Sequence, residues 1–242
     1  MEATSSLLRL SHQKVWFIKK YTENNMNNYL DNLSPYWDKR FEAENKIWGD
    51  EPSRTVYNAL DIFKKYKVKK ILVPGAGYGR HTGFFSSLGY DVCGVEISKK
   101  ACAIATENDP KTKIIPGSCL DTAFEQETFD AIYCFNLLHL LREKERTLFI
   151  NKCLLELKKG GICFFVVFSD KEESYGKGTE VEKNTFESKP GRPVHYFSGQ
   201  DLINHFSKFE LIDEGLINDP ENHGNIGEHT HCLRYIACKK IA

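Results

Sequence analysis

The stretch Lys69–Ser98, KKILVPGAGYGRHTGFFSSLGYDVCGVEIS, constrains the fold more than any other part of the chain. It reads as a short buried strand over 71–74, a glycine turn (Gly75-Ala76-Gly77-Tyr78-Gly79) and a helix. A second strand follows over 91–95, with an acid, Glu96, at its end. That order of parts builds a nucleotide-type site at the carboxyl edge of a parallel sheet. The glycines let the backbone turn sharply and come close to a ligand. The next helix turns its free N–H groups toward that ligand. Glu96 sits where a carboxylate can accept hydrogen bonds from both hydroxyls of a ribose.

Glycine spacing separates the nucleotide classes. A dinucleotide site uses G-x-G-x-x-G, which places the third glycine at position 80. Here that position is Arg80 and the third glycine is Gly79, which disfavours a nicotinamide-dependent oxidoreductase. G-x-G-x-G with an acid about twenty residues on resembles motif I of the class I S-adenosylmethionine (SAM)-dependent methyltransferases. The resemblance covers residues 68–168. It implies a Rossmann-like α/β fold, a doubly wound, mostly parallel sheet closed by a C-terminal antiparallel hairpin, with SAM as cofactor. Carried onto this chain, Gly75, Ala76 and Gly77 hold the methionine portion. Glu96 and Ile97 meet the ribose, and Ser118, Cys119 and Leu120 the adenine. Phe135 and Asn136 lie near the reacting methyl. Arg80 either faces the methionine carboxylate or is a solvated residue of the first helical turn.

Three further matches and two departures belong to the same resemblance. Thr128-Phe129-Asp130-Ala131-Ile132 matches the family's entry into the fourth strand, where Asp130 has a structural role. Leu137-Leu138-His139-Leu140-Leu141 resembles the family's leucine/histidine segment. In the second half, Ser174–Gly178, Glu180–Glu187 and His195-Tyr196-Phe197 resemble a microbial, tellurite-resistance-like subgroup of small-molecule methyltransferases. Against the pattern, Val73 stands where the family often has an acid, and Ser118 where it usually has aspartate. These departures leave room for a non-catalytic SAM-binding sensor or partner subunit.

The rest of the chain continues the alternation of strand and helix. Helices are expected over 56–65, 99–108, 143–158 and 200–206, the third stopped by Lys159-Gly160-Gly161. Strands are expected over 113–115, 129–134, 162–168, 209–217 and 232–238. Residues 1–27 read as an extended or loosely structured start, and 28–242 as one domain. Within it, residues 28–67 form an N-terminal helical flap, whose Trp48 either covers the cofactor or packs the flap onto the sheet. Residues 169–197 are polar and aperiodic, and long loops of that kind act as lids.

Net charge is zero, with 33 basic and 33 acidic residues, which argues against nucleic acid as partner. No run of about 18 apolar residues exists, so no membrane helix is expected. The eight cysteines form no C-x-x-C pair and read as reduced, buried thiols of a cytoplasmic protein. Methyl transfer is an in-line displacement in which the protein supplies binding and orientation. A soft nucleophile needs no base; a hydroxyl or protonated amine does. Candidate bases are His139 and His195, then His229 and His231. His223, His229 and His231 also suggest a metal, but the preferred reading is a polar loop with no metal. The expected partner is a small-molecule acceptor, and the chain a monomer or homodimer.

Overall fold

A computed structural model describes residues 29–222 and 227–241. The expected loose start over 1–27 and His223 lie outside the described residues. The helix α1 (Tyr29–Glu44) and the helix α2 (Thr55–Lys65) precede the first strand, β1 (Lys70–Pro74). Then come α3 (Arg80–Ser87), β2 (Asp91–Glu96), α4 (Lys99–Asn108), β3 (Lys113–Pro116) and β4 (Phe129–Phe135). After them lie α5 (Glu143–Glu156), β5 (Leu157–Phe168), β6 (Thr179–Glu182), β7 (Thr185–Glu187) and β8 (Val194–His195). The chain ends with α6 (Gly199–His205), β9 (Phe209–Asn222) and β10 (Glu228–Lys240).

The main sheet has seven strands in the order β3-β2-β1-β4-β5-β10-β9. Strands β3, β2, β1, β4 and β5 run parallel, and β10 is antiparallel to both its neighbours. The order reverses between β1 and β4, so the crevice for a ligand opens outside the carboxyl ends of those two strands. Side chains alternate along each strand, and both faces are buried. Leu72, Ile132, Phe165 and Val167 pack with α5 and α6 on one side. Ile71, Val73, Tyr133, Phe164 and Val166 pack with α2 and α3 on the other. This explains why β5 reads as a continuous apolar run and not as an alternating one. Among the described residues, no helix is long and apolar enough to cross a membrane.

Three expectations change. The helix α5 ends at Glu156, not at 158: Leu157 is extended and pairs with Phe129. Its full burial in the core outweighs another helical turn. Residues 169–197 are not a bare loop but contain the antiparallel sheet β6-β7-β8. Its outer residues are exposed, so the strands carry no hydrophobic alternation to betray them. The strands of the C-terminal hairpin extend through Asn222 and from Glu228, past the expected limits of 217 and 232. Ladder pairing holds them together there, Asp219 opposite His231 and Glu221 opposite His229.

Asp130 is a tether at the amino end of the sheet. Its carboxylate accepts from the N–H groups of Lys69 (3.0 Å) and Lys70 (2.8 Å) and from Lys158 Nζ (2.7 Å). Burial pushes its pKa up, but Lys158 and the two amides prevail and hold it below the usual carboxylate range. The tether is partly exposed, and solvent screening keeps its worth to about 1 kcal/mol. Asp130→Asn should cost that much in urea unfolding at neutral pH. A depressed folded pKa adds stability above the unfolded value of about 3.9. The gap between variant and wild type should therefore close as pH falls through the folded pKa. An equal gap at acid and neutral pH would refute this account.

Candidate functional site

The turn after β1 is bound to the end of β2. The N–H groups of Gly75 (2.8 Å) and Ala76 (3.0 Å) donate to the Val95 carbonyl, and Gly77 N–H donates to Glu96 Oε2 (2.9 Å). Gly75 has φ +67° and Gly79 φ +92°, a backbone region that costs other residues about 1–2 kcal/mol. A Cβ on Gly79 would stand 3.1 Å from the Ala105 Cα. The third glycine is thus required at 79 by the close approach of α4.

Glu96 is 6% exposed. Its Oε1 accepts from Ser98 N–H at 2.8 Å. Burial raises its pKa, while hydrogen bonds from Ser98, Gly77 and Ile97 pull the other way. The carboxylate keeps acceptor capacity for a ligand beyond these donors. At the end of β3, Ser118 Oγ accepts the Leu120 N–H (3.1 Å). The Leu120 amide is thus engaged within the protein. At the end of β4, Asn136 takes a left-handed φ of +50°, a backbone tolerated by Asn. Its Oδ1 is buried without a hydrogen-bond partner.

Arg80 lines the cavity and is held by protein partners. Its Nη2 pairs with Glu221 Oε1 at 2.5 Å, with side chains 7% and 4% exposed. Its Nη1 donates to the carbonyls of Trp48 (3.3 Å) and Glu51 (3.4 Å). It is a buried clamp and not a solvated residue. Trp48 lies 6.1 Å from Tyr78 in a stacked pair and contacts Trp37 and Phe41. Tyr78 Oη donates to the Gly49 carbonyl (2.7 Å), and burial pushes its pKa up to about 12.

One cavity of about 370 Å³ is lined by Trp48, Gly75, Ala76, Gly77, Arg80, Glu96, Ile97, Ser118, Cys119, Leu120, Phe135, Asn136 and His139. Residues from five sequence segments therefore meet at the topological switch. His139 is buried and stacks on Phe168 at 4.2 Å. Burial, with His231 and His195 nearby, lowers its pKa to about 3. Its Nδ1 accepts the Phe168 N–H at 3.2 Å. A neutral imidazole has one lone pair, so the proton sits on Nε2 and His139 faces the cavity as a donor. His195 does not line the cavity. It bridges Thr185 Oγ1 (2.8 Å) and Asp201 Oδ2 (2.7 Å), joining β7 to α6.

The structure brings His231, one of the candidate bases, to the cavity and adds Glu221 and Glu172, which the sequence did not single out. Glu221 and His231 line the cavity beside Phe168, and Glu172 stands behind His231. Glu172 Oε1 meets His231 Nδ1 at 2.7 Å. Burial opposes protonation of His231, but the Glu172 hydrogen bond and the Glu172, Glu221 and Asp219 charges raise its pKa overall. Arg192, Pro193 and Val194 close the cavity from the β7–β8 side.

Residues 72–165 match a family described as a methyltransferase domain. The match is to that domain at large and does not single out the microbial subgroup. No sequence among curated proteins matches the chain. Among solved structures, a SAM-dependent methyltransferase from Methanosarcina mazei is 20% identical, with TM-score 0.64, covering 74% of this chain and 97% of its own. The Burkholderia thailandensis 1,6-didemethyltoxoflavin-N1-methyltransferase was solved with 1,6-didemethyltoxoflavin and S-adenosylhomocysteine bound. It is 18% identical, with TM-score 0.62, over 88% of this chain and 87% of that one. A SAM-dependent methyltransferase from Anabaena variabilis is 17% identical, with TM-score 0.64, over 88% and 96%. At these identities the likeness is one of fold.

Proposed function

We propose that this chain, a methyltransferase with the class I SAM-dependent fold and a methyltransferase domain over residues 72–165, methylates a small-molecule acceptor. The observation that carries this reading is the lining of the cavity. It joins the cradle of Gly75, Gly77, Glu96 and the loop after β3 to Phe168, His139 and Arg192–Val194. A space of about 370 Å³ suits a small molecule. The Burkholderia thailandensis N1-methyltransferase, solved with bound 1,6-didemethyltoxoflavin and S-adenosylhomocysteine, supports it.

The cradle fits SAM on this chain's own atoms. Glu96 offers two acceptors for ribose hydroxyls, Cys119 N–H a donor for adenine, and Asn136 Oδ1 an unpartnered acceptor for the amino group. A Cβ on Gly77 would meet nothing closer than 4.0 Å, so that side of the turn is open to a ligand. SAM supplies a methyl group activated on a sulfonium. The aromatic wall of Trp48, Tyr78 and Phe41 suits that cation and excludes water. His139 orients the acceptor by donating from Nε2 and does not take its proton. The protein's contribution is proximity and alignment. Residues 169–197 serve as the lid and 28–67 as the flap.

Thermal shift and calorimetry with SAM, S-adenosylhomocysteine, NAD and NADP test the site. A ligand at a hundred times its dissociation constant stabilises the fold by about 2.7 kcal/mol. Both adenosyl sulfur compounds should do so, and neither dinucleotide. Turnover on a panel of thiols and metalloid oxyanions then tests the acceptor class. Failure of both adenosyl compounds to bind overturns the reading.

A further inference from the structure

We propose that Glu172, His229 and His231 bind a divalent metal ion of the zinc type beside the cavity, with one coordination position open toward the acceptor. His229 and His231 lie two apart on β10, so both rings stand on one face, with centroids 4.5 Å apart. Glu172 reaches them from the segment after β5, and its side chain is 2% exposed. Donor atoms of all three lie within 4.8 Å of one another. Ligand atoms at zinc bonding distances stand roughly 3.3 Å apart in a tetrahedron. Glu172 Oε1 lies 2.7 Å from His231 Nδ1 and 3.8 Å from His229 Nε2, so small side-chain rotations suffice.

The surroundings are those of a ligand set. Glu172 Oε2 is fixed by the Cys232 N–H at 2.7 Å, which leaves Oε1 directed at the histidines. Glu221 Oε2 stands 3.7 Å from His231 Nε2, on the far side of the ring from Glu172. A carboxylate behind a metal-bound histidine orients it and raises its basicity. Three protein ligands, two imidazoles and a carboxylate, make an open site of the catalytic kind and not a closed structural one. The position also matters. His231 lines the cavity and stacks on Phe168 at 5.0 Å.

The consequence for chemistry rests on the methyltransferase reading above. His139 Nδ1 is engaged by the Phe168 N–H, so a hydroxyl acceptor needs another route to its anion, and a thiol acceptor is made more nucleophilic as its thiolate. A coordinated thiol or hydroxyl loses its proton near neutral pH. The released proton goes to solvent. The anion's lone pair forms the bond to the methyl carbon as the sulfonium C–S bond breaks, giving methylated acceptor and S-adenosylhomocysteine.

The test uses the untagged full chain, stripped with a chelator. Calorimetry with Zn²⁺ should show one equivalent bound, and Co²⁺ should give the visible spectrum of a low-coordinate site. His229→Ala and Glu172→Gln should each weaken binding by at least about tenfold. The His229 side chain is 37% exposed, so its variant keeps the fold, as melting curves check. Adding 2-mercaptoethanol to the Co²⁺ protein should produce a sulfur-to-cobalt band. No Zn²⁺ binding, or equal binding by both variants, overturns the site; an unchanged cobalt spectrum overturns the open position. S-adenosylhomocysteine is titrated into the same stripped sample. Its binding without zinc binding sinks the metal alone, and zinc binding without it sinks the methyltransferase reading alone.

Discussion

Glu96→Ala should weaken S-adenosylhomocysteine binding by about a hundredfold or more, read by calorimetry. On the proposed assignment the carboxylate takes both ribose hydroxyls. Hydrogen bonds to a charged group contribute about 1.5–3 kcal/mol each, and every 1.4 kcal/mol is tenfold in affinity. The variant also strips an acceptor from the N–H groups of Gly77 and Ser98, which loosens the turn itself. Glu96→Gln keeps the volume and one acceptor, so its loss should be smaller. The pH dependence has a definite sign. Burial raises the pKa of Glu96 in the free protein, and the ribose favours the carboxylate. Affinity is therefore full above the free-state pKa and declines as pH falls through it, starting above the ordinary carboxylate range. Unchanged affinity in Glu96→Ala would falsify the ribose assignment.

Arg80→Met should lower stability by about 3 kcal/mol, a fall in Tm of roughly 10 °C for a chain of this size. The guanidinium is the cation facing buried Glu221 and donates to the Trp48 and Glu51 carbonyls. It also lies over the rings of Trp48 and Phe135, 5.8 and 5.2 Å from their centroids. Removing it takes the guanidinium away from a buried carboxylate and releases residues 48–51 from α3. On the proposed assignment S-adenosylhomocysteine affinity should fall as well, because Trp48 lines the cavity. A double-mutant cycle separates this from direct contact with the ligand. If the ion pair is the cause, Glu221→Gln restores much of the stability lost in Arg80→Met. Additive losses would assign Arg80 to some other role.

Local chemistry explains what could be read ahead of the structure. The strand, turn, helix, strand and acid of residues 69–98 follow from glycine conformations and apolar runs that neighbours in sequence decide among themselves. The parallel order followed, because alternating strands and helices have few ways to bury both faces of a sheet. The residues from Gly75 to Asn136 that the family resemblance pointed to line one cavity, because they sit at strand ends, where that topology collects them. The end of α5 was not legible, because Leu157 is drawn out of the helix by its pairing with Phe129. Nor was the sheet β6-β7-β8, whose exposed side chains carry no period.

The sequence by itself determined the fold class, the glycine turn at one end of the cavity and the departure from a dinucleotide spacing. Those depend on contacts within about thirty residues or on regular alternation. Only the tertiary structure decided what surrounds the acceptor. Arg80 meets Glu221 across 141 positions, and His231 meets Glu172 across 59. No spacing rule predicts such pairs. They exist because β10 inserts antiparallel between β5 and β9, and that register brings the carboxylate of Glu221 and the ring of His231 to one edge of the cavity.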